Sequence, residues 1–190
     1  MTGNRKSNQA VMIPGDPEDM NVTSLPFPGN LGQTFNVSVP PLITPTGPEP
    51  ESGADKGYRI VQLDSSLASS ATRCTMTYWK DRAKYIVTSN PLNSIAGVNA
   101  PAGVIKSPIV QAGRYTCVQF EGPSRVNSRV ADIAAWATGD AAIGSAASQG
   151  AVQRVAAGTA PTNSIVGFVT GAADATGNTV LVNLQIPETP

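Results

Sequence analysis

This chain of 190 residues contains no histidine and only two cysteines. Histidine is the side chain whose ordinary pKa lies closest to neutrality, and it is the commonest general base and a frequent metal ligand. Cys74 and Cys117 are too few for a disulfide framework and lack the C-x-x-C spacing of zinc and redox sites. The sequence therefore favours two buried, inert thiols, and we expect no catalytic residue, no cofactor and no metal.

Long apolar runs and charge of one sign are also missing. No stretch approaches the ~20 apolar residues that cross a membrane, and the N-terminal residues lack the apolar core of a secretory signal. Residues 1–56 hold three Lys or Arg against six Asp or Glu, and the rest holds ten against seven. A nucleic-acid binder gathers its basic residues on one face. We therefore expect a protein made in a reducing cytosol, with neither a membrane nor a nucleic acid as partner.

Sequence motifs of common enzymes are missing as well. The chain contains no phosphate-binding loop, dinucleotide fingerprint, nucleophile elbow or calcium loop. Its one acidic cluster, at residues 16–19, is better explained as a solvated charge run or a salt-bridge patch than as a metal site. The carboxylates of the body are scattered, which disfavours the acid pair of a glycosidase.

Proline divides the chain. Nine of the sixteen prolines lie within residues 1–50, and each fixes φ and removes a donor, so this part forms neither a long helix nor a central strand. Apolar side chains recur in it more often than in a solvated linker. We therefore predict an extended arm, residues 1–55, that tethers the protein to neighbours through the anchors Leu25, Phe27, Leu31 and Phe35. Its proline-free stretch, residues 29–39, is expected to pair with an exposed strand edge.

After the arm the pattern changes to period two. Residues 179–186 place Val180, Val182, Leu184 and Ile186 on one face, as a half-buried strand does. Similar short runs at 58–63, 74–78, 85–88, 114–120, 151–155 and 165–169 are separated by Gly, Pro and Asn turns. The prediction is an all-β fold: a small β-barrel or sandwich body, residues 56–190, behind a long Pro-rich extended N-terminal arm. One helix is predicted, at residues 130–137.

A few body residues are candidates for contacts with other molecules. Trp79 begins the densest charged stretch, which is more typical of a hairpin turn than of a base-stacking site. Arg125 and Arg129 are candidates for contacts with acidic partner surfaces.

Three segments carry a resemblance to a known family. They are YWKDRA at 78–83 leading into YIVTS at 85–89, AGRYTCVQFEG at 112–122, and AAGTAPTN at 156–163 continuing through IVG at 165–167 to NLQIP at 183–187. Together they resemble the small virion proteins that decorate or cement the capsids of tailed bacteriophages. The resemblance spans roughly residues 57–187.

The resemblance implies a virion structural protein on the outer capsid surface, made in the cytoplasm of the bacterial host. It implies an all-β body, the major capsid protein as partner, and a homo-oligomer, with a trimer favoured. Many weak contacts repeated over a shell would add up through avidity. The alternative is a carbohydrate- or receptor-binding β module on the virion surface, for which Trp79, Trp136 and Tyr115 are the candidate aromatics.

Overall fold

The structure, a computed structural model, describes residues 16–25, 28–38, 43–44, 47–48, 54–66, 71–156 and 158–187. In these ranges it is predominantly β, with short 3-10 turns at Pro28–Asn30, Pro91–Asn93, Gly97–Asn99 and Val130–Asp132. The strands are β1 (Thr34–Ser38), β2 (Ile43–Thr44), β3 (Gly47–Pro48), β4 (Asp55–Leu63), β5 (Ala71–Thr72), β6 (Met76–Asp81), β7 (Ile86–Thr88), β8 (Pro101–Ile105), β9 (Ile109–Val110), β10 (Tyr115–Asn127), β11 (Ala141–Gly144), β12 (Val152–Val155), β13 (Ile165–Val169) and β14 (Thr179–Gln185).

Ten of these strands form one large sheet. Its order is β1-β4-β7-β6-β8-β10-β14-β13-β11-β12, and a further pairing joins β4 to β10. Two small ladders, β2 with β3 and β5 with β9, are separate from it. Strand β4 pairs with both β7 and β10. The five strands β4, β7, β6, β8 and β10 therefore pair in a closed circuit, called here the ring of five strands.

The long strand β10 belongs to both halves of the sheet. Its first half pairs with β4, from Tyr115 opposite Gln62 to Glu121 opposite Gly57. Its second half pairs with β14, which leads on through β13 and β11 to β12. The change of partner coincides with a bulge between Gln119 and Glu121. A bulge bends a strand and increases its twist.

The core follows from the alternation of side chains along these strands. Met76 and Tyr78 of β6 face the β10–β14–β13–β11–β12 half, whereas Trp79 faces the ring of five strands. In β14 the alternating residues Val180, Val182 and Leu184 lie in the first of these clusters. The apolar face predicted for residues 179–186 is therefore confirmed, whereas Thr179 and Leu181 on the opposite face are buried as well.

The described part of the arm lies on the body. Its strand β1 pairs antiparallel with β4, and Val22 forms an isolated antiparallel bridge with Tyr115. Apolar arm side chains pack with Tyr58, Ile60 and Cys117 on the outer side of β4 and β10.

The helix predicted at residues 130–137 is wrong. A single 3-10 turn, Val130–Asp132, occupies its start, and turns follow as far as Ala135. The side chain of Asp140 accepts a hydrogen bond from the backbone N–H of Ala137 at 2.8 Å. Such side-chain to backbone bonds compete with helical ones.

Candidate interaction surfaces

Glu18 fastens the arm to the body. Its carboxylate accepts a hydrogen bond from the Tyr58 hydroxyl at 2.7 Å and forms an ion pair with Lys56 Nζ at 3.1 Å. Burial raises the pKa of Glu18, but the Tyr58 hydrogen bond and the Lys56 charge outweigh it, so the pKa lies below its ordinary value. The carboxylate is therefore held in its charged form against β4.

Two sulfur-containing side chains continue this contact. Met20 is buried on the body, with its sulfur 3.4 Å from that of Cys117. Burial raises the pKa of Cys117 to about 12, with the charge of Asp16 adding to the effect. Both cysteines are free and buried, as expected of thiols outside a disulfide framework.

Three of the four predicted arm anchors meet at this same face. Leu25, Leu31 and Phe35 are half-buried and pack around Met20, Tyr58, Ile60 and Cys117. Phe35 stacks on Tyr58 with ring centroids 5.7 Å apart. The fourth, Phe27, lies outside the described residues. The structure thus brings three anchors together on their own chain, and their role as a tether to neighbours stays a prediction.

An apolar patch lies on the loop between β7 and β8. Leu92 is 79% exposed and Ile95 is 54% exposed. Leu92 borders a shallow groove of about 330 Å³ that Pro91, Ala96, Val98 and Ala146 help to line, and Ile95 is exposed on the same loop.

Hydrogen bonds hold this loop in a fixed shape. The side chain of Asn90 accepts from the N–H of Leu92 at 3.0 Å, and the Ser94 hydroxyl reaches the carbonyls of Pro91 and Gly97 at 2.9 and 2.7 Å. The N–H of Ile95 donates to the carbonyl of Trp79 at 2.9 Å. The loop therefore presents its apolar side chains without having to be ordered first, which lowers the entropy cost of binding.

A polar cleft of about 660 Å³ opens where β4 begins and β10 changes partner. The exposed side chains of Asp55, Glu121 and Gln185 line it together with half-buried Asn183. The Ser38 hydroxyl of β1 donates to Asp55 at 2.6 Å. Carboxylates and amides in this arrangement offer hydrogen-bond acceptors and donors to a polyhydroxylated ligand.

Arg129 belongs to an ion-pair network rather than to a free basic surface. Its guanidinium contacts both oxygens of Asp132, at 2.6 and 3.0 Å, and the N–H of Arg154 donates to the same carboxylate at 3.0 Å. Burial raises the pKa of Asp132, but the Arg129 hydrogen bond and these other contacts lower it below its ordinary value. Arg154 in turn pairs with buried Asp140. The network ties the 129–140 segment to β12.

The other two body candidates occupy different places. Trp79 is 1% exposed and packs in the core, with the Arg59 guanidinium 5.3 Å from its ring centroid. Arg125 is half-buried in the second half of β10. The structure does not bring Trp79, Arg125 and Arg129 together, and their role as contact residues stays a prediction.

Sequence reasoning missed the Leu92 and Ile95 patch. The signal available to it was the capping pattern Asn90-Pro91, which marks a turn and so places the following apolar residues outside a strand.

Among the described residues, no group of three or more His, Cys, Asp or Glu side chains is placed to hold a metal ion. In the same part of the chain, no helix has the length and apolar character needed to span a membrane. No protein-family model, no curated protein and no solved structure matches this chain.

Proposed function

We propose that this chain is a virion structural protein that decorates and cements the capsid of a tailed bacteriophage, without catalysis. In this proposal it sits on the outer capsid surface and binds the major capsid protein and other copies of itself, with a trimer favoured. The host cytoplasm is its site of synthesis. The resemblance of residues 57–187 to decoration proteins supports the family assignment.

The positions of the three resembling segments in the sheet support the same proposal. The first spans β6, its turn and β7, the second the first half of β10, and the third β13 and the end of β14. They therefore fall on strands of one connected sheet and on the turns beside them, among them the loop between β12 and β13. We infer that the ring of five strand pairings is the small barrel of the body and that the arm, residues 1–55, is the extended element expected for tethering.

The observation that carries the proposal is the exposed apolar pair Leu92 and Ile95, on a loop that hydrogen bonds hold in one shape. A contiguous exposed apolar surface marks a site that binds another protein; here Leu92 lies beside a groove, and Ile95 is exposed on the same loop. The hydrogen bonds of Asn90 and Ser94 hold it in a fixed shape. We infer that this patch contacts the capsid shell, where many copies multiply a modest interface.

The test is binding of the purified chain to particles assembled without it. Leu92→Ser with Ile95→Ser should strongly reduce particle binding, because the apolar contact is lost. Val130→Ser is the matched control: Val130 is 71% exposed but lies on the 129–140 segment, so this variant should bind like the wild type. Equal binding by all three proteins would overturn the docking surface.

The capsid role itself is tested by particle stability. Particles without the protein should assemble but release their genome at a lower temperature than complete particles. An unchanged release temperature would contradict cementing.

A second candidate is a carbohydrate- or receptor-binding module, and the polar cleft favours it. Its acids and amides, Asp55, Glu121, Asn183 and Gln185, suit sugar hydroxyls. The aromatic side chains expected to stack on a sugar are not gathered there: Trp79 is in the core, and Tyr115 and Trp136 are half-buried in separate clusters. Binding of the isolated protein to a glycan array, lost in Glu121→Ala, would favour this candidate.

A further inference from the structure

Strand β1 forms one edge of the ten-stranded sheet. Among the strands that the structure describes it pairs with β4 alone. Its sequence, Thr-Phe-Asn-Val-Ser, contains no charged residue and no proline. Exposed edges are usually guarded by charges, proline or a bulge, since their free backbone groups attract other strands. None of these guards lies between Thr34 and Ser38; a bulge, Gly32 and Gln33 opposite Ile60, precedes the strand and leaves this stretch of edge regular.

The register with β4 shows which backbone groups of β1 point outward. The N–H of Gly32 donates to the carbonyl of Ile60, and the N–H of Ile60 donates to the carbonyl of Gln33, at 2.9 and 3.1 Å. Hydrogen-bonded pairs recur every second residue along an antiparallel ladder. Phe35 and Val37, opposite Tyr58 and Lys56, therefore direct their backbone groups to β4.

The alternate residues of β1 direct their backbone groups to the open edge. These are Thr34, Asn36 and Ser38, and each offers one N–H and one carbonyl there.

The edge is complementary to itself. When a second β1 is placed antiparallel about Asn36, each Asn36 lies opposite the other, and Thr34 lies opposite Ser38. The outward backbone groups of the two strands then face one another as hydrogen-bonded pairs. On the sheet face that Phe35 shares with Tyr58, Phe35 lies opposite Val37, so the half-buried apolar layer of each copy continues into the other. No like charges meet, and Thr opposite Ser is a favourable cross-strand pair.

We propose that two copies of this chain associate through their β1 strands, as an antiparallel pair centred on Asn36 that joins their sheets. A self-complementary surface of this kind produces a two-fold contact. It links two single copies or one copy in each of two neighbouring oligomers. The contact does not depend on the capsid role, and its test uses the purified chain alone.

We infer that the strand bound at this edge belongs to a second copy, because two-fold pairing gives hydrogen-bond partners to the outward backbone groups of both β1 strands. A strand from another protein would satisfy the β1 backbone equally well. Only a second β1, however, also places Thr34 opposite Ser38 and Asn36 opposite Asn36. The short edge predicts weak association that rises with concentration.

The first experiment is sedimentation of the full chain over a wide range of concentration. The wild-type mass should rise towards twice that of its smallest species. Asn36→Pro should weaken this self-association by about tenfold or more, since both central N–H groups lose their bonds. Proline is tolerated there because the Asn36 N–H points away from β4. Asn36→Thr keeps the N–H and is the matched control, which should associate like the wild type.

The second experiment keeps the proposal falsifiable if the proline variant fails to fold. Asn36→Asp and Asn36→Lys each place like charges opposite one another in the proposed pair, so each alone should associate less than the wild type. An equimolar mixture of the two should recover association, because opposite charges then face. A wild-type mass that stays constant with concentration would overturn the proposal, as would association unchanged in the proline variant or a mixture no stronger than its parts.

Discussion

Glu18 shows how a single residue joins the arm to the body. Its side chain is 32% exposed, whereas its partner Lys56 is only 5% exposed. Burial alone would favour the neutral acid. The Tyr58 hydroxyl and the Lys56 ammonium reverse that preference, and they do so only while the arm lies on β4. Protonation of this carboxyl and release of the arm are therefore coupled.

The coupling gives a prediction for Glu18→Gln. A lowered folded pKa contributes stability that is present above the ordinary value of 4.5 and is lost as the pH falls through the folded pKa. The variant should therefore melt below the wild type at neutral pH, and the difference should shrink below pH 4.5. Since the pair is partly exposed, we expect about 1 kcal/mol at most, or about 2–4 °C in Tm.

Thermal unfolding followed from neutral pH to about pH 3 checks this expectation. Asp81→Asn serves as the control, since its ion pair with Lys84 is a surface pair within one hairpin and should change Tm little. A difference between Glu18→Gln and wild type that stays constant across the range would contradict the coupling.

At the scale of elements, the strands with clear alternation could be predicted and the others could not. Strands β4, β6, β7, β10, β12, β13 and β14 overlap the short runs predicted from the sequence. Strand β11 consists of Ala, Ile and Gly, and β8 begins with proline, so neither carries the usual signal. Both are buried throughout and are held by their neighbours in the sheet.

For the arm, the sequence predicted that a stretch would pair with a strand edge but not which edge. The proline-free stretch 29–39 was expected to pair with a strand edge, and β1 does so. That the edge belongs to β4 of the same chain could not be read from the pattern, because apolar anchors do not specify their partner. The domain boundary between residues 55 and 56 stays a prediction, although side-chain packing crosses it at Met20, Tyr58 and Ile60.

Removing the arm tests this packing. A chain beginning at Ala54 should keep a β-type circular dichroism spectrum but melt several degrees lower, since burial of Met20 alone is worth roughly 1.5–3 kcal/mol. Cys117 loses its cover, so its pKa of about 12 should fall and its thiol should react faster with a thiol reagent. Cys74 is the internal control, because it is buried outside the arm cluster, so its reaction rate should stay the same in the truncated chain.

Two results would count against the arm as a cover. One is a truncated chain in which Cys117 reacts as slowly as in the full chain. The other is equal acceleration at both cysteines, which would indicate general loosening of the body rather than uncovering of one face.

At the scale of the whole molecule, the two halves of the sheet depend on one strand. Strand β10 completes the ring of five pairings with its first half and starts the β14–β13–β11–β12 half with its second. The exposure of Leu92 and Ile95 also arises at this scale, since it depends on how the loop after β7 packs against β6, where the N–H of Ile95 donates to the carbonyl of Trp79. The sequence could indicate a turn there, whereas the direction in which its side chains point follows from the assembled sheet.

Gly122 is the residue at which β10 passes between the halves. Its φ is +86°, and a Cβ there would lie 2.4 Å from the carbonyl oxygen of Asp55. Gly139 has a similar φ of +92° with open space around it. The same substitution at both sites therefore separates the cost of the backbone conformation from the cost of the close approach between β10 and β4.

We expect Gly139→Ala to cost about 1–2 kcal/mol, the penalty of a left-handed conformation. Gly122→Ala adds a clash with backbone that cannot rotate away, so it should cost on the order of 3 kcal/mol or more. Because both halves share β10, calorimetry should still show a single transition, shifted to lower temperature, with matching calorimetric and van't Hoff enthalpies. If Gly122→Ala instead split the transition in two, the halves would be independent folding units, and β10 would connect them without coupling their stability.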